Sequence, residues 1–234
     1  QLYIKPKKFL SGGNGARNYG LSISKGKYVQ WLDSDNQIDP LKFEKQINLM
    51  QSHPQVDAII SQTACLNTSN EFIHLWNEKI NSNKDLLSDF ILKKCGWSTE
   101  APLWKKSFLQ ETAVKFNERL KNGQDYDYHI KLLAHKPNML FINDILTYYY
   151  LHDNQIRTTQ RKFNSKFIIN KELYQKYNKT ISSGASKKAI YELHRNYLRS
   201  FLYRDYYFII NNFKTVGLYS KITSYDLIKL IIKL

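Results

Sequence analysis

Hydrophobic and polar positions fall along the chain in blocks that predict strands and helices in turn. Tyr28-Val29-Gln30-Trp31-Leu32 is a short β-prone apolar run that follows Gly26 and stops at Asp33. Asp39-Pro40 reads as a helix N-cap followed by proline at the first helical position. Leu41, Phe43, Ile47 and Met50 would give that helix a buried stripe. Val56 to Ile60 predicts the next strand. Asp85 to Lys94 predicts a helix with Leu86, Phe90 and Ile91 on one side, and Asp125 to His135 another with Ile130, Leu133 and Ala134 inward. Met139 to Ile142 and Ile145 to Leu151 read as strands. Such alternation predicts an α/β fold with a mixed or mostly parallel sheet covered on both faces. Ligands of these sheets sit beyond the carboxyl ends of the strands, where Asp33-Ser34-Asp35 stands.

The texture changes past residue 155. Five of the nine glycines lie between Gly12 and Gly26, and four of the five prolines between Pro40 and Pro137. Beyond Arg157 there is no proline, and Lys, Asn, Ile and Tyr dominate. Residues 1–155 carry 19 basic and 16 acidic side chains, a net of +3, whereas residues 156–234 carry 16 and 4, a net of +12. The expected organisation is an α/β body over 1–155 and a basic, aromatic-rich helical extension over 156–234. Within the extension, Ser186 to Lys214 predicts a long amphipathic helix with Ile190, Leu193, Tyr197 and Phe201 at helical spacing. Ser224 would cap a last helix whose Lys229 and Lys233 share a face. A basic amphipathic tail suits an anionic membrane surface, and it equally suits packing on the body with its lysines solvated.

Composition removes several classes. Hydrophobic residues make up 42% and charged residues 24%, enough to bury a core. Cys65 and Cys95 are too few for a disulfide scaffold and lack zinc-finger spacing. No apolar run is long enough to span a bilayer.

Three segments carry candidate chemistry. Asp33 and Asp35, one residue apart past an apolar strand, can aim two carboxylates at one point, as a hard divalent cation with substrate phosphates requires. The same residues also begin turns. Gly12 to Gly20 is glycine-rich, leads into a short helix ending near Gly26, and contains Arg17. Glycines allow close backbone approach, and a guanidinium near a helix start suits a phosphate. It fits neither the P-loop nor the dinucleotide fingerprint, and a surface loop is the simpler reading of it alone. In Gly123-Gln124-Asp125-Tyr126-Asp127, Asp125 stands at a helix start, where the dipole favours its ionised, proton-accepting form. A plain N-cap explains the same position. Trp31, Trp97 and Trp104 could stack on a sugar ring, though tryptophans in an α/β body usually fill the core.

Taken in order, these segments resemble the family 2 glycosyltransferases of the GT-A fold. The resemblance rests on Gly13-Asn14-Gly15-Ala16-Arg17-Asn18-Tyr19-Gly20, Lys25-Gly26-Lys27-Tyr28-Val29, Leu32-Asp33-Ser34-Asp35 with Pro40, Phe116-Asn117-Glu118, and the run from Gly123 to Asp127. It continues into Tyr148-Tyr149-Tyr150-Leu151-His152-Asp153 and covers about residues 10–157. It implies a Rossmann-like mixed sheet flanked by helices and an inverting transfer of a sugar from a nucleotide-diphospho-sugar, a UDP-sugar first, to a hydroxyl of a saccharide or lipid-linked acceptor. It implies Asp125 as general base, Asp33 beside the ribose or donor sugar, and Arg17 beside the diphosphate. Asp35 would bind a divalent metal, Mg²⁺ or Mn²⁺, with His152 as a further contact. Asn36 and Gln124 stand where many relatives carry acids. Relatives also carry nucleotide-binding strands upstream, whereas only fifteen residues precede Ala16 here, so the expectation is a piece of a larger molecule. The setting implied is bacterial surface-polysaccharide assembly, in the cytoplasm or peripheral to the inner membrane face. A catalytically inactive carbohydrate-binding scaffold is the alternative, and a basic nucleic-acid-binding protein the more distant one.

Overall fold

The structure, a computed structural model, describes residues 3–81, 85–151 and 162–202 together with 208, 211, 212 and 216. The chain divides into two compact units, one of residues 1–120 and 124–155 and the other of 121–123 and 156–234.

In the first unit, α1 (Gly13–Ile23) leads to β1 (Tyr28–Gln30), β2 (Gln37–Ile38), α2 (Lys42–Ser52), β3 (Ala58–Leu66) and β4 (Phe72–Leu75). Then follow α3 (Leu86–Ile91), β5 (Pro102–Lys105), α4 (Lys106–Thr112), α5 (Gln124–Leu133) and β6 (Met139–Tyr150). The six strands form one sheet in the order β1-β5-β3-β6-β2, with β4 pairing onto β3. The sheet is mixed: β3 and β6 run parallel, and the other pairs are antiparallel. β3 lies at the centre because all of its residues from Ala58 to Cys65 are buried. The two strands expected around Asn143-Asp144 are one strand of twelve residues, with the register against β3 shifting between Ile60 and Thr63.

Helix starts follow the residues. Asp85 caps α3, its carboxylate accepting the Ser88 amide at 3.0 Å. Asp39 acts one turn before α2, accepting the Leu41 amide at 2.9 Å, so that Leu41 and not Asp39 is the N-cap residue. The face that α2 buries also differs from expectation. Leu41 and Phe43 are exposed, and the buried residues are Lys42, Gln46 and Met50, a stripe four residues apart. Only Met50 joins an apolar cluster, with Val56 and Ile59. Lys42 and Gln46 reach polar partners on the inner strands β3 and β6 and at Ala101 instead. Trp31, Trp97 and Trp104 are all core residues, 6%, 4% and 0% exposed, so none offers a sugar-stacking face. Burying a large apolar side chain stabilises by about 1.5–3 kcal/mol. Cys65 and Cys95 are both buried.

The second unit contains α6 (Lys162–Tyr177) and α7 (Ser183–Leu202). Ala185, Ala189, Leu193 and Tyr197 are buried at four-residue spacing along α7. Leu193 and Tyr197 pack on Phe167 of α6, with Phe208 and Val216 against them. The apolar stripe is therefore covered by its neighbouring helix. The helix expected from Ser186 begins three residues earlier, and the one expected after Ser224 lies outside the described residues. Among the described residues, no helix is long and apolar enough to cross a membrane.

Candidate functional site

Two glycines shape the entry to α1. Gly12 precedes the helix with φ of 101°, a region that favours glycine. A Cβ on Gly15 would lie 2.1 Å from the Leu10 carbonyl oxygen, so only glycine lets α1 pass beneath that strand of chain. Beyond them, α1 is stitched to residues 116–120. Asn14 Nδ2 donates to the carbonyl oxygens of Asn117 at 2.9 Å and Leu120 at 3.1 Å. Asn18 and Phe116 exchange two bonds of 2.9 Å, amide side chain to backbone in both directions. Asn18 also donates to Glu118 Oε1 at 2.8 Å, and Glu118 Oε2 accepts the Leu10 amide at 2.5 Å. These donors, the Asn18 amide first, hold the Glu118 carboxyl below the usual carboxylate range.

Arg17 projects from the same helix into an ion pair with Asp33, just past β1. Its guanidinium also lies 5.2 Å from the centre of the Phe116 ring. Phe116 in turn stacks on Tyr128 of α5 with centroids 3.9 Å apart, and Trp31 meets both rings edge-on. The glycine-rich segment, the carboxylate turn and the 116–120 segment, far apart in sequence, are thus one bonded assembly that touches α5. Asp35 is exposed two residues beyond Asp33. Asp125 is half-buried in the first turn of α5. The other acid of that turn, Asp127, is buried and pairs with Lys131 at 2.7 Å. His152 lies outside the described residues. Among the described residues, no three His, Cys, Asp or Glu side chains gather as a metal cage.

Behind the carboxylate turn lies a buried polar system that hydrophobic patterning did not reveal. Asn36 donates to Glu100 Oε1 at 2.9 Å and accepts the Tyr150 amide at 3.2 Å. Gln30 Nε2 donates to the Glu100 carbonyl oxygen at 2.7 Å. Glu100 is 1% exposed, and burial followed by the nearby Asp33 charge pushes its carboxyl well up. Lys42 is wholly buried and donates to Ser61 Oγ at 3.1 Å, the Ala101 carbonyl at 3.0 Å and Thr147 Oγ1 at 3.3 Å. Burial pulls its ammonium down to about 7, with the Glu100 charge opposing. Asn36 now has a physical reason. A carboxylate there would face Glu100 as a second acceptor, whereas the amide supplies the hydrogen between them. His129 is fully buried among Trp97, Trp104 and Tyr128, and burial pulls it down to about 3, so it stays neutral.

Residues 2–110 match the family model described as Glycosyl transferase family 2. An uncharacterized glycosyltransferase of Methanocaldococcus jannaschii is 24% identical over 171 residues, 72% of this chain and 58% of the relative. The minor teichoic acid biosynthesis protein GgaB of Bacillus subtilis is 25% identical over 155 residues, 64% of this chain and 17% of GgaB. The succinoglycan biosynthesis protein ExoO of Rhizobium meliloti is 26% identical over 128 residues, 49% of this chain and 35% of ExoO. The chain therefore spans less than two thirds of each of these relatives. In structure, it resembles S. aureus TarS 1–349 in complex with UDP-GlcNAc, with a TM-score of 0.54 over 81% of this chain and 53% of that one, at 14% identity. That likeness establishes the mixed α/β architecture as the GT-A fold.

Proposed function

We propose, from the match of residues 2–110 to the model of glycosyl transferase family 2, that the protein transfers a sugar from a nucleotide-diphospho-sugar to a hydroxyl of a saccharide or lipid-linked acceptor, with inversion. The observation that carries this reading is the bonded assembly of Arg17 with Asp33 and of α1 with residues 116–120. It ties the glycine-rich segment, the carboxylate turn and the approach to Asp125 into one scaffold. In this reading, Arg17 holds the diphosphate and Asp33 faces the ribose or donor sugar. Asp125 takes the proton from the acceptor hydroxyl on the side opposite the leaving group, which is what inversion requires. A relative's complex with UDP-GlcNAc supports a UDP-sugar donor. Relatives named for teichoic acid and succinoglycan biosynthesis support a saccharide acceptor in surface-polysaccharide assembly.

The residues present also suit a divalent cation. Mg²⁺ keeps several waters and takes one or two carboxylates with substrate phosphates, and Asp35, two residues past the Arg17-bound Asp33, offers that sparse donor set. His152 is the further contact in this reading. When bound, the cation would offset negative charge on the leaving diphosphate. For residues 156–234, we propose an anionic membrane surface as partner, attracted through basic charge because the described apolar stripe is already covered by α6.

Thermal shift with UDP and UDP-GlcNAc, with and without Mn²⁺, tests the reading. Metal-dependent stabilisation that vanishes in Asp35→Ala is expected. Asp125→Asn should keep that stabilisation and lose about 10²–10⁴-fold in turnover, the usual share of a general base. No response to any nucleotide, or full turnover in Asp125→Asn, would overturn it.

A further inference from the structure

At the end of β1 opposite to Asp33 lies a cavity of about 350 Å³. Four lysines line it, Lys25, Lys27, Lys105 and Lys106, with Ser107 and Gln110 beside them and no acidic side chain. Its walls are set by backbone pairing. Tyr28 of β1 is in register with Lys105 of β5, and the Lys106 amide donates to the Lys27 carbonyl at 2.8 Å. Two of the ammonium groups are anchored, Lys105 on the Pro54 carbonyl and Lys106 on the Ser24 carbonyl. An ammonium has three donors, so these bonds leave each of the two lysines with further donors. Lys25 and Lys27 are exposed and stand over the same hollow.

Residues 1–155 carry a net charge of only +3, so four lysines without an acid in one hollow are a local concentration and not the general surface. Like charges crowded together are relieved by an anion, and a tetrahedral oxyanion accepts from several ammonium groups at once. The volume is at the lower end of small-ligand sites and exceeds what a bare phosphate fills. We propose that this cavity is a second binding site, separate from the transfer site, for a phosphate ester of a small polar group. The ester is either a free metabolite or a phospholipid headgroup presented at a membrane. The proposal stands apart from the transfer reading, because no residue assigned to that reading lines the cavity.

Calorimetric titration of the whole chain with glycerol 3-phosphate, at low salt, measures the free ester. Flotation with equimolar phosphatidylcholine and phosphatidylglycerol vesicles measures the headgroup. The variant Lys25→Gln/Lys27→Gln removes two exposed charges and should melt like the wild type. It should weaken binding about thirtyfold, the factor expected of two basic residues facing an anionic surface. Gln110→Glu should weaken it as well, through repulsion at the cavity wall. Loss in the ester titration assigns a soluble ligand, and loss confined to vesicles assigns a headgroup. With Mn²⁺ present, Asp35→Ala, which is expected to lose UDP-dependent stabilisation, must keep wild-type glycerol 3-phosphate affinity. Loss of ester binding in Asp35→Ala would place the anion in the transfer site and overturn the proposal. So would wild-type affinity in both cavity variants, or no binding of either probe.

Discussion

Two polar seams cross the first unit, and they are made of opposite kinds of group. Between α1 and residues 116–120, neutral amides meet backbone groups, Asn14 and Asn18 supplying each partner at 2.9–3.1 Å. Beneath α2, a buried ammonium and a buried carboxyl, Lys42 and Glu100, are held by hydroxyls, carbonyls and Asn36. The amide seam costs little to desolvate and specifies geometry, as a strand ladder does. The charged seam carries a desolvation penalty that its hydrogen bonds and mutual attraction must offset. Both brace the elements around the Arg17–Asp33 pair, but only the charged one holds buried groups that titrate near neutrality; in the amide seam Glu118, held below the usual carboxylate range, responds only in acid.

The largest expected effect comes from breaking the charged seam on one side. Lys42→Met leaves the Ser61, Ala101 and Thr147 oxygens without their buried donor and Glu100 without a nearby positive charge, and it should cost about 3 kcal/mol, read as a lower urea midpoint. Lys42→Met/Glu100→Gln removes both titratable groups and keeps an acceptor for Asn36, so it should recover the part of that loss that comes from the carboxyl. A double variant as unstable as the single would mean that the pair is not coupled. In the amide seam, Gly15→Ala drives a methyl to 2.1 Å from the Leu10 carbonyl oxygen. It should cost about 1–3 kcal/mol or more, as overpacking does. It should also weaken UDP-dependent stabilisation, because the displaced helix carries Arg17.

How much of this was legible differs between the seams for a physical reason. The glycines, Arg17 and Asp33 announce themselves, since close approach and strand-end carboxylates leave a local pattern. Lys42 and Gln46 do not. They occupy the inward stripe of α2, but hydrophobicity points to Leu41 and Phe43, which face out. Glu100 lies between Thr99 and Ala101 with no flanking signal, and its role depends on strands that meet only in the fold. The same limit hid β2 and β4, too short to show periodicity, and shortened β3. Its residues Ser61, Gln62 and Thr63 are polar yet buried, each with a hydrogen-bonding partner in the interior. The strands flanking Asn143-Asp144 looked separate because a bulged register and a turn leave the same polar interruption.

Alkaline titration sharpens the contrast next. The folded-state pKa of Lys42 is lowered from 10.5 to about 7, so the unfolded chain binds the extra proton across that window. Stability from this group is complete above the unfolded value and is lost as pH falls towards the folded one. The wild type should therefore gain about 2 kcal/mol between about pH 7 and 9, the window below the point where Cys95, raised from 9.0 to about 11 by burial, begins to act in the opposite sense. Gly15→Ala should show the same rise from a lower baseline, and Lys42→Met/Glu100→Gln should show none. A rise that survives in the double variant would remove Lys42 as its source.

The acid limb gives the smallest effect, because two buried groups oppose each other there. His129, lowered from 6.5 to about 3, makes the folded state weaker as pH falls through that range, since only the unfolded chain takes up the proton. Glu100 does the reverse. With its folded pKa raised from 4.5, its contribution is complete below that value and is lost as pH rises towards neutrality. Between about 4.5 and 6.5 the two slopes have opposite sign, so the wild-type urea midpoint should be nearly flat there. Lys42→Met/Glu100→Gln keeps His129 and loses the opposing carboxyl, so its midpoint should fall steadily on acidification over the same interval. Gly15→Ala should stay as flat as the wild type. Parallel acid curves for all three proteins would mean that Glu100 does not hold its proton in the folded state, and the charged seam would then be a fixed ion pair.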